Sequence, residues 1–209
     1  SHSFSYTFST VPMFVFMGEL LFISGISSDL FETLRKWFGN LKGGLATSTI
    51  GASALFAAAS GSSVASTATM GVIAFNEMSK SGYKPTFSSG AIVAGGTLGI
   101  LIPPSTAFII YGILTEQSIG KLFIAGIVPG ILLTILYMLT VAISVRINPG
   151  LAPQHRLTFS WKEKFVSLMS TLWIIVLFLI VIGGMYAGWF GPTEAAGIGA
   201  AVSIIFVAL

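Results

Sequence analysis

Residues 57–67 read Ala57-Ala58-Ala59-Ser60-Gly61-Ser62-Ser63-Val64-Ala65-Ser66-Thr67, in the middle of an apolar segment that runs from Gly43 to Met78. Gly, Ser and Thr in a cluster loosen a helix and offer the backbone local alternatives, so the segment divides into two arms. The second arm, Val64 to Glu77, is too short to cross a bilayer, which takes about 20 residues. The predicted geometry is a re-entrant helical hairpin with its tip near the midplane. Irregular backbone at that depth is tolerated only where protein buries it or a wet cavity runs beside it.

The rest of the chain supplies the bilayer. It has 209 residues, 54% hydrophobic and only 8% charged, with a mean hydropathy of +0.92. A soluble domain carries about 25% charge, so a soluble globular enzyme and a disordered chain are both excluded. The absence of cysteine removes disulfides, thiolate metal sites and a Cys nucleophile. The predicted fold is an all-α polytopic membrane protein. The net charge of +3 forms no basic stripe, so no nucleic-acid partner is expected; membrane lipid is. Residues 1–10 lack the basic start of a signal peptide, and Ala195 to Leu209 is too short to finish a span, so the sequence is expected to be an internal part of a longer protein.

Outward from the hairpin, Val11 to Ser28 reads as the first span. Asp29 to Lys42 carries Leu30, Phe31, Leu34, Trp37, Phe38 and Leu41 at helical spacing, with Glu32, Arg35 and Lys36 opposite them. That pattern predicts an amphipathic helix in the membrane interface; a plain polar connector is the alternative. Ser79 to Pro85 is a polar loop. Thr86 to Leu114 is a second interrupted segment, broken at Gly95-Gly96-Thr97-Leu98-Gly99-Ile100-Leu101-Ile102-Pro103-Pro104-Ser105, where two prolines remove backbone donors and three glycines loosen the helix. Leu122 to Ile147 is a long span with a possible kink at Pro129-Gly130. Asn148 to Lys164 is a polar loop, and Phe165 to Tyr186 is another span. Gly191-Pro192-Thr193-Glu194 then opens a last helix with Pro and Glu as N-terminal signals.

Charge tests this topology. If the hairpin enters and leaves on one side, Arg35, Lys36, Lys42, Lys80, Lys84, Arg146, Arg156, Lys162 and Lys164 all fall on the cytoplasmic side and only Lys121 falls outside. That satisfies the positive-inside rule, which a full crossing by the hairpin would violate at Lys80 and Lys84.

The interrupted segments hold no carboxylate or arginine of the kind that marks a proton relay. Glu19 lies within the first span and reads more simply as a scaffold or subunit-contact acid. Glu77, Glu116 and Glu194 sit at segment ends, where capping or solvation accounts for them. What the interruptions offer is neutral oxygen: hydroxyls of Ser60, Ser62, Ser63, Ser66 and Thr67, and unwound carbonyls there and around Gly95 to Pro103. Such a set suits a hard, easily released cation such as Na⁺, and half-helix N-termini at the two breaks suit an anionic group. Two broken elements in one bundle point to a secondary-transporter site. Close helix packing through small residues is the competing explanation. It accounts for Gly95, Gly96, Gly99 and Gly183-Gly184, but not for Pro103-Pro104 or the short second arm. A serine hydrolase needs a base, and His2 and His155 lie in polar segments far from the hairpin. No Walker motif is present.

Ser60-Gly61-Ser62-Ser63-Val64-Ala65-Ser66, the Gly95 to Ser105 element and Gly191-Pro192-Thr193-Glu194-Ala195-Ala196 occur in that order. The series resembles the large, DctM-like membrane subunit of tripartite ATP-independent periplasmic (TRAP) transporters, over nearly the whole chain. The Gly-to-Pro-Pro-Ser element is its most specific part. The resemblance implies a member of the ion-transporter superfamily, with inverted repeats that each hold a hairpin and a broken helix. It implies an elevator carrying out Na⁺-coupled uptake of small organic acids such as C4-dicarboxylates or sialic acid in the bacterial inner membrane. A periplasmic substrate-binding protein and a small membrane subunit are the implied partners, and no enzymatic activity is expected. By this resemblance Na⁺ lies among Ser60, Gly61, Ser62, Ser63, Gly95, Thr97, Gly99 and Pro103, and substrate meets Ser62, Ser63, Ser66, Pro104 and Ser105. The implied organisation is a scaffold helix over 1–28 and an arm over 29–42. The transport part covers 43–121, with its hairpin at 43–78 and broken helix at 86–114. Scaffold follows over 122–190, and a truncated second repeat opens at 191–209. A full member is about twice as long, so this stretch is expected to be the N-terminal half. A carrier of the same superfamily without a binding protein, or a non-transporting scaffold or channel, remains an alternative.

The topology makes a direct prediction. Cysteines placed at Lys80 and Arg156 in the full-length protein should label with a membrane-impermeant maleimide only from the cytoplasmic side; labelling of either from outside alone overturns the re-entrant hairpin.

Overall fold

The computed structural model describes residues 10–153 and 158–208, and every regular element among them is helical. His2, His155 and Arg156 lie outside the described residues. The order is α1 (Thr10–Ile23), α2 (Ile26–Phe38), α3 (Gly44–Ser60), α4 (Ser63–Lys80) and α5 (Pro85–Thr97). A 3₁₀ turn at Leu98–Ile100 leads on to α6 (Thr106–Leu114), and α7 (Ile119–Ile147) follows. Next comes α8 (Trp161–Phe178), which a π-turn at Leu179–Gly183 prolongs to Tyr186, and α9 (Pro192–Ala208) is the last element described. The all-α membrane architecture read from the sequence is the one observed. Among the described residues, only α7 and the extended α8 are single helices long and apolar enough to cross a membrane.

The first boundary differs from the sequence reading. Val11 to Ser28 is not one helix, because α1 stops at Ile23 and α2 leaves at 67° to it. Gly25 makes the corner with φ 79°, a left-handed conformation that costs glycine little. The Ser24 hydroxyl closes the last turn of α1 by donating to the Leu21 carbonyl at 2.9 Å. The amphipathic helix therefore begins at Ile26 rather than Asp29 and ends at Phe38, leaving Lys42 in a turn.

Its apolar face is covered by protein. Leu30 and Phe31 are fully buried against α3 and α8, whereas Leu41, expected on the same face, is 49% exposed beyond the helix end. A hydroxyl clasp fixes the crossing with α8: Thr33 donates to the Ser167 carbonyl at 2.8 Å and accepts from the Thr171 hydroxyl at 2.7 Å. On the polar face Arg35 reaches Glu32 at 2.8 Å and Glu77 of α4 at 3.5 Å, tying the arm to the hairpin.

Helices α3 and α4 form the expected hairpin. The Leu45 N–H donates to the Tyr83 hydroxyl at 3.2 Å, the Thr49 hydroxyl meets Met78 Sδ at 3.6 Å, and the Ser66 hydroxyl donates to the Ser53 carbonyl at 3.2 Å. These pairs run antiparallel, so the open ends of both arms face the same way. The second arm is longer than Val64 to Glu77: it has 18 residues, because Ser62 caps it at Ser63 and its last turn includes Ser79 and Lys80. Burial raises the Tyr83 phenol pKa above its ordinary value, against backbone hydrogen bonds at Leu45 and Ala46 that lower it. The phenol thus stays neutral near pH 7 while it holds the hairpin root.

Contacts bring Arg35, Lys80, Lys84 and Lys164 to the neighbourhood of this root. Lys84 N–H donates to the Leu151 carbonyl at 3.1 Å, and Trp37 Nε1 donates to the Lys164 carbonyl at 3.3 Å. Arg35 and Lys80 share Glu77. Lys121 sits in the first turn of α7, at the opposite end of that helix from Arg146. Pro129 lies inside a continuous 29-residue α7 and does not end it. In α9, Pro192 is the first residue and the Glu194 carboxylate accepts the Gly191 N–H at 2.8 Å. That helix packs on α1, with Gly199 against Met17 and the Thr10 and Thr193 hydroxyls 2.6 Å apart.

Thr33→Val removes the central hydroxyl of the α2–α8 clasp at little cost in volume. Full-length protein in detergent should lose about 1 kcal/mol of stability and melt at a lower temperature. An unchanged melting temperature would show that the clasp contributes nothing.

Candidate functional site

Two interrupted elements meet at the hairpin tip. Gly61 ends α3 with φ 63° and Ser62 is extended at φ −130°, so the chain reverses over two residues. The Ser62 hydroxyl then accepts the Ala65 N–H at 3.2 Å and its carbonyl accepts the Ser66 N–H at 3.0 Å, which starts α4. The break in the second element is longer. The α5 helix tightens into the 3₁₀ turn, passes a cis Pro103–Pro104 bond, and restarts from an extended Ser105. The Ser105 hydroxyl, fully buried, donates back to the Ile100 carbonyl at 2.7 Å and bridges the gap left by the prolines.

One hydrogen bond joins tip and break directly: the Thr106 N–H donates to the Gly61 carbonyl at 3.0 Å. The first backbone donor of α6 thereby satisfies an acceptor of the tip, and neither group is left bare in the membrane. Glycine makes this approach possible. A Cβ at Gly61 would lie 2.7 Å from the Pro104 carbonyl oxygen, and one at Gly99 would lie 2.8 Å from Ser63 N and 3.0 Å from Ser62 C.

The structure brings Ser60, Gly61, Ser62, Ser63, Gly99, Pro104 and Ser105 together here. Other predicted residues stand apart. Gly95 packs one turn away against Ser53 of α3, where a Cβ would meet the Ser53 hydroxyl at 2.6 Å. Gly96 packs against Thr67. Thr97 turns toward α7, its hydroxyl donating to the Ala94 carbonyl at 2.7 Å and lying 3.3 Å from the Tyr137 hydroxyl. Pro103 borders an apolar cavity on the far side of the break. Ser66 is fully buried and spends its hydroxyl inside the hairpin on Ser53. Ser62 and Ser63 are half-buried, and neighbouring Val64, 78% exposed, marks the open side of the tip.

Two hydroxyls on α3, Ser53 and Ser60, are fully buried and have no hydrogen-bond partner. An unmet buried hydroxyl costs about 1–3 kcal/mol. They are two turns apart, about 10 Å along the helix, so one ion cannot take both. Ser60 borders the tip and packs on Gly18 of α1, where a Cβ would meet its own Cβ at 2.7 Å. Ser53 did not stand out in the sequence; its only signal is its place seven residues before Ser60. Among the described residues no cluster of three or more His, Cys, Asp or Glu could hold a metal ion. The oxygens that the tip itself offers, from Ser60, Ser62 and Ser63 and the backbone, are neutral.

The family model for the DctM component of the tripartite ATP-independent periplasmic transporter matches residues 4–209. The chain belongs to this family. It is 43% identical over 98% of its length to a C4-dicarboxylate TRAP transporter large permease of Pseudomonas aeruginosa, of which it covers 47%. It is 37% identical over 89% of its length to an ectoine TRAP large permease of Halomonas elongata, covering 43% of that protein. It is 36% identical over 96% of its length to a sialic acid TRAP permease of Haemophilus influenzae, covering 32%. The DctM-family chain thus spans half or less of the length of these relatives.

Gly99→Ala tests the close approach. The added methyl meets tip backbone rather than a flexible side chain, so tip and break must part, at a cost of about 1–3 kcal/mol. Full-length protein in detergent should melt at a lower temperature in this variant than in wild type. An unchanged melting temperature would show that the two elements do not need contact at Gly99.

Proposed function

We propose that this chain forms part of the large permease of a Na⁺-coupled TRAP transporter that imports a small organic acid. The observation that carries the reading is the tip–break joint. Two interrupted helices are closed on each other through Gly61 and Thr106, beside a buried Ser60 hydroxyl that lacks a partner. A hard monovalent cation takes several oxygen ligands and is released easily when none is charged. The tip offers hydroxyls and unwound carbonyls of that kind, and no carboxylate. The joint also places the starts of α4 and α6 at one spot, but the Thr106, Ala65 and Ser66 N–H groups are bonded within it, so a carboxylate bound there draws further contacts from beyond these two elements.

In this reading Na⁺ orders the tip and prepares the anion site, so each ligand raises the affinity for the other. The hairpin and broken helix, α3 to α6, move as the elevator car. The spans α7 and α8 belong to the scaffold, with α2 as the arm between them. The protein sits in the bacterial inner membrane with the basic hairpin root in the cytoplasm. A periplasmic binding protein delivers the substrate and a small membrane subunit braces the scaffold. The relatives' names extend the candidate substrates from C4-dicarboxylate and sialic acid to ectoine.

The deciding experiment is uptake by the full-length system in proteoliposomes under an inward Na⁺ gradient, with and without its binding protein. Labelled C4-dicarboxylate, sialic acid and ectoine are the probes. Uptake that needs both Na⁺ and the binding protein is the expected outcome. Na⁺-driven uptake without the binding protein would overturn the tripartite assignment, and uptake indifferent to Na⁺ would overturn the coupling. Ser60→Ala sharpens the test. If the hydroxyl is an ion ligand, apparent Na⁺ affinity should fall about tenfold, near 1.4 kcal/mol. If it is merely an unmet buried group, its removal should raise the melting temperature and leave the Na⁺ dependence alone.

A further inference from the structure

A cavity of about 560 Å³ lies on the side of the break away from the tip joint. That volume is within the range of about 300–1,000 Å³ typical of small-molecule sites. Its floor is Ala54, Ala58 and Pro103, from the first hairpin arm and the break, and Leu34 and Phe38 of the arm helix form one end. Its open side lies between the two long spans, at Ile131 and Ile135 of α7 and Ile175 of α8, which are 56%, 49% and 39% exposed.

The walls make no polar demand. The hydroxyl of Thr134 is spent within α7, donating to the Gly130 carbonyl at 2.8 Å. Water needs two to four polar partners to occupy a site, so this cavity excludes it. The mouth sits at hydrocarbon depth. Ile131 and Ile135 lie near the middle of a helix about 43 Å long, against a hydrocarbon core of about 30 Å. Only 17% of the most apolar stretch of α7 is buried within this chain, and the exposed side chains around the mouth are apolar, as contact with hydrocarbon requires. An apolar recess that opens at hydrocarbon depth leaves its lining without contacts unless an apolar group enters.

We propose that a phospholipid acyl chain enters between α7 and α8 and lies against Ala54, Ala58 and Pro103, behind the break. The occupant is a chain rather than a headgroup, because no charged residue lines the cavity. The assignment needs only the membrane placement of α7 and α8 and does not depend on Na⁺ coupling, so uptake and chain binding can fail separately.

The test uses the full-length permease with its partner subunits in nanodiscs containing phosphatidylethanolamine with a diazirine midway along one acyl chain. After photolysis, peptide mass spectrometry should find adducts on the floor segment 54–58, as well as on the outer faces of α7 and α8. Ile131→Trp, at an exposed position where bulk is tolerated, plugs the mouth and should cut floor labelling about tenfold. Leu132→Trp, on α7 but outside the cavity lining, should leave it unchanged. Adducts on the outer faces alone would overturn the proposal, and that is the result expected if another part of the permease or the small subunit fills the recess. Floor labelling that survives both Ile131→Trp and Ile175→Trp would overturn the entry route and with it the proposal.

Discussion

Inside a bilayer, a backbone group that leaves its helix has no water to turn to, so every interruption must be closed by protein. This chain interrupts two helices and closes each with the other. Gly61 gives up its place in α3 and its carbonyl is met by the first N–H of α6. The prolines strip donors from the break, and Ser105 returns one through its hydroxyl to Ile100. Removing either interruption would strand groups of the other, which is why the two elements function as one joint. The rest of the fold holds that joint in place: α1 covers the tip through Gly18 and Phe14, α7 covers the break through Gly126 and Gly130, and the arm braces the hairpin root.

The closure has a consequence for the helix ends. A helix N-terminus attracts anions through its free N–H groups. In α6 the Thr106 N–H is already spent on the tip, and in α4 the Ala65 and Ser66 N–H groups are spent on Ser62. Much of the positive end is used to stabilise the joint itself. What stays open is the neutral oxygen of Ser60, enclosed and unpartnered. On physical grounds the joint is better furnished for a small cation than for a large anion, and a carboxylate would need contacts from beyond these two elements.

How far the sequence could be read depended on the range of the interactions. The hairpin, the break and the last helix start were legible because Gly, Pro and Ser act within a few residues, and the bilayer amplifies their effect. The approach of Arg35, Lys80 and Lys84 at the root agrees with an equally simple bias. The corner at Gly25 was missed because Ser24-Gly25 lies within an apolar run whose composition fits one span; only the left-handed φ at that glycine reveals the bend. The arm was legible as amphipathic but its cover was not, since lipid and the α8 face look alike to a hydrophobic stripe. Thr97 was grouped with the tip by its neighbours in sequence, yet its hydroxyl donates to the Ala94 carbonyl and lies beside the Tyr137 hydroxyl, forty residues on. Ser53 was invisible for the same reason: what makes it unusual is the glycine packed against it from another helix.

The glycines of α5 divide two explanations that the sequence left competing. Small residues in membrane helices let backbones approach, and Gly95 and Gly96 do this against Ser53 and Thr67. Gly99 does something different, because its nearest neighbours are the backbone atoms of Ser62 and Ser63 at the point of chain reversal. The first two are packing positions that hold the helix on the hairpin; the third sets the distance between two irregular backbones. A run of glycines that reads as one motif thus has two jobs, separated by a single helical turn. That separation packs the hairpin and the broken helix closely along their lengths through Gly95 and Gly96, and leaves Gly99 to set the approach of their irregular ends.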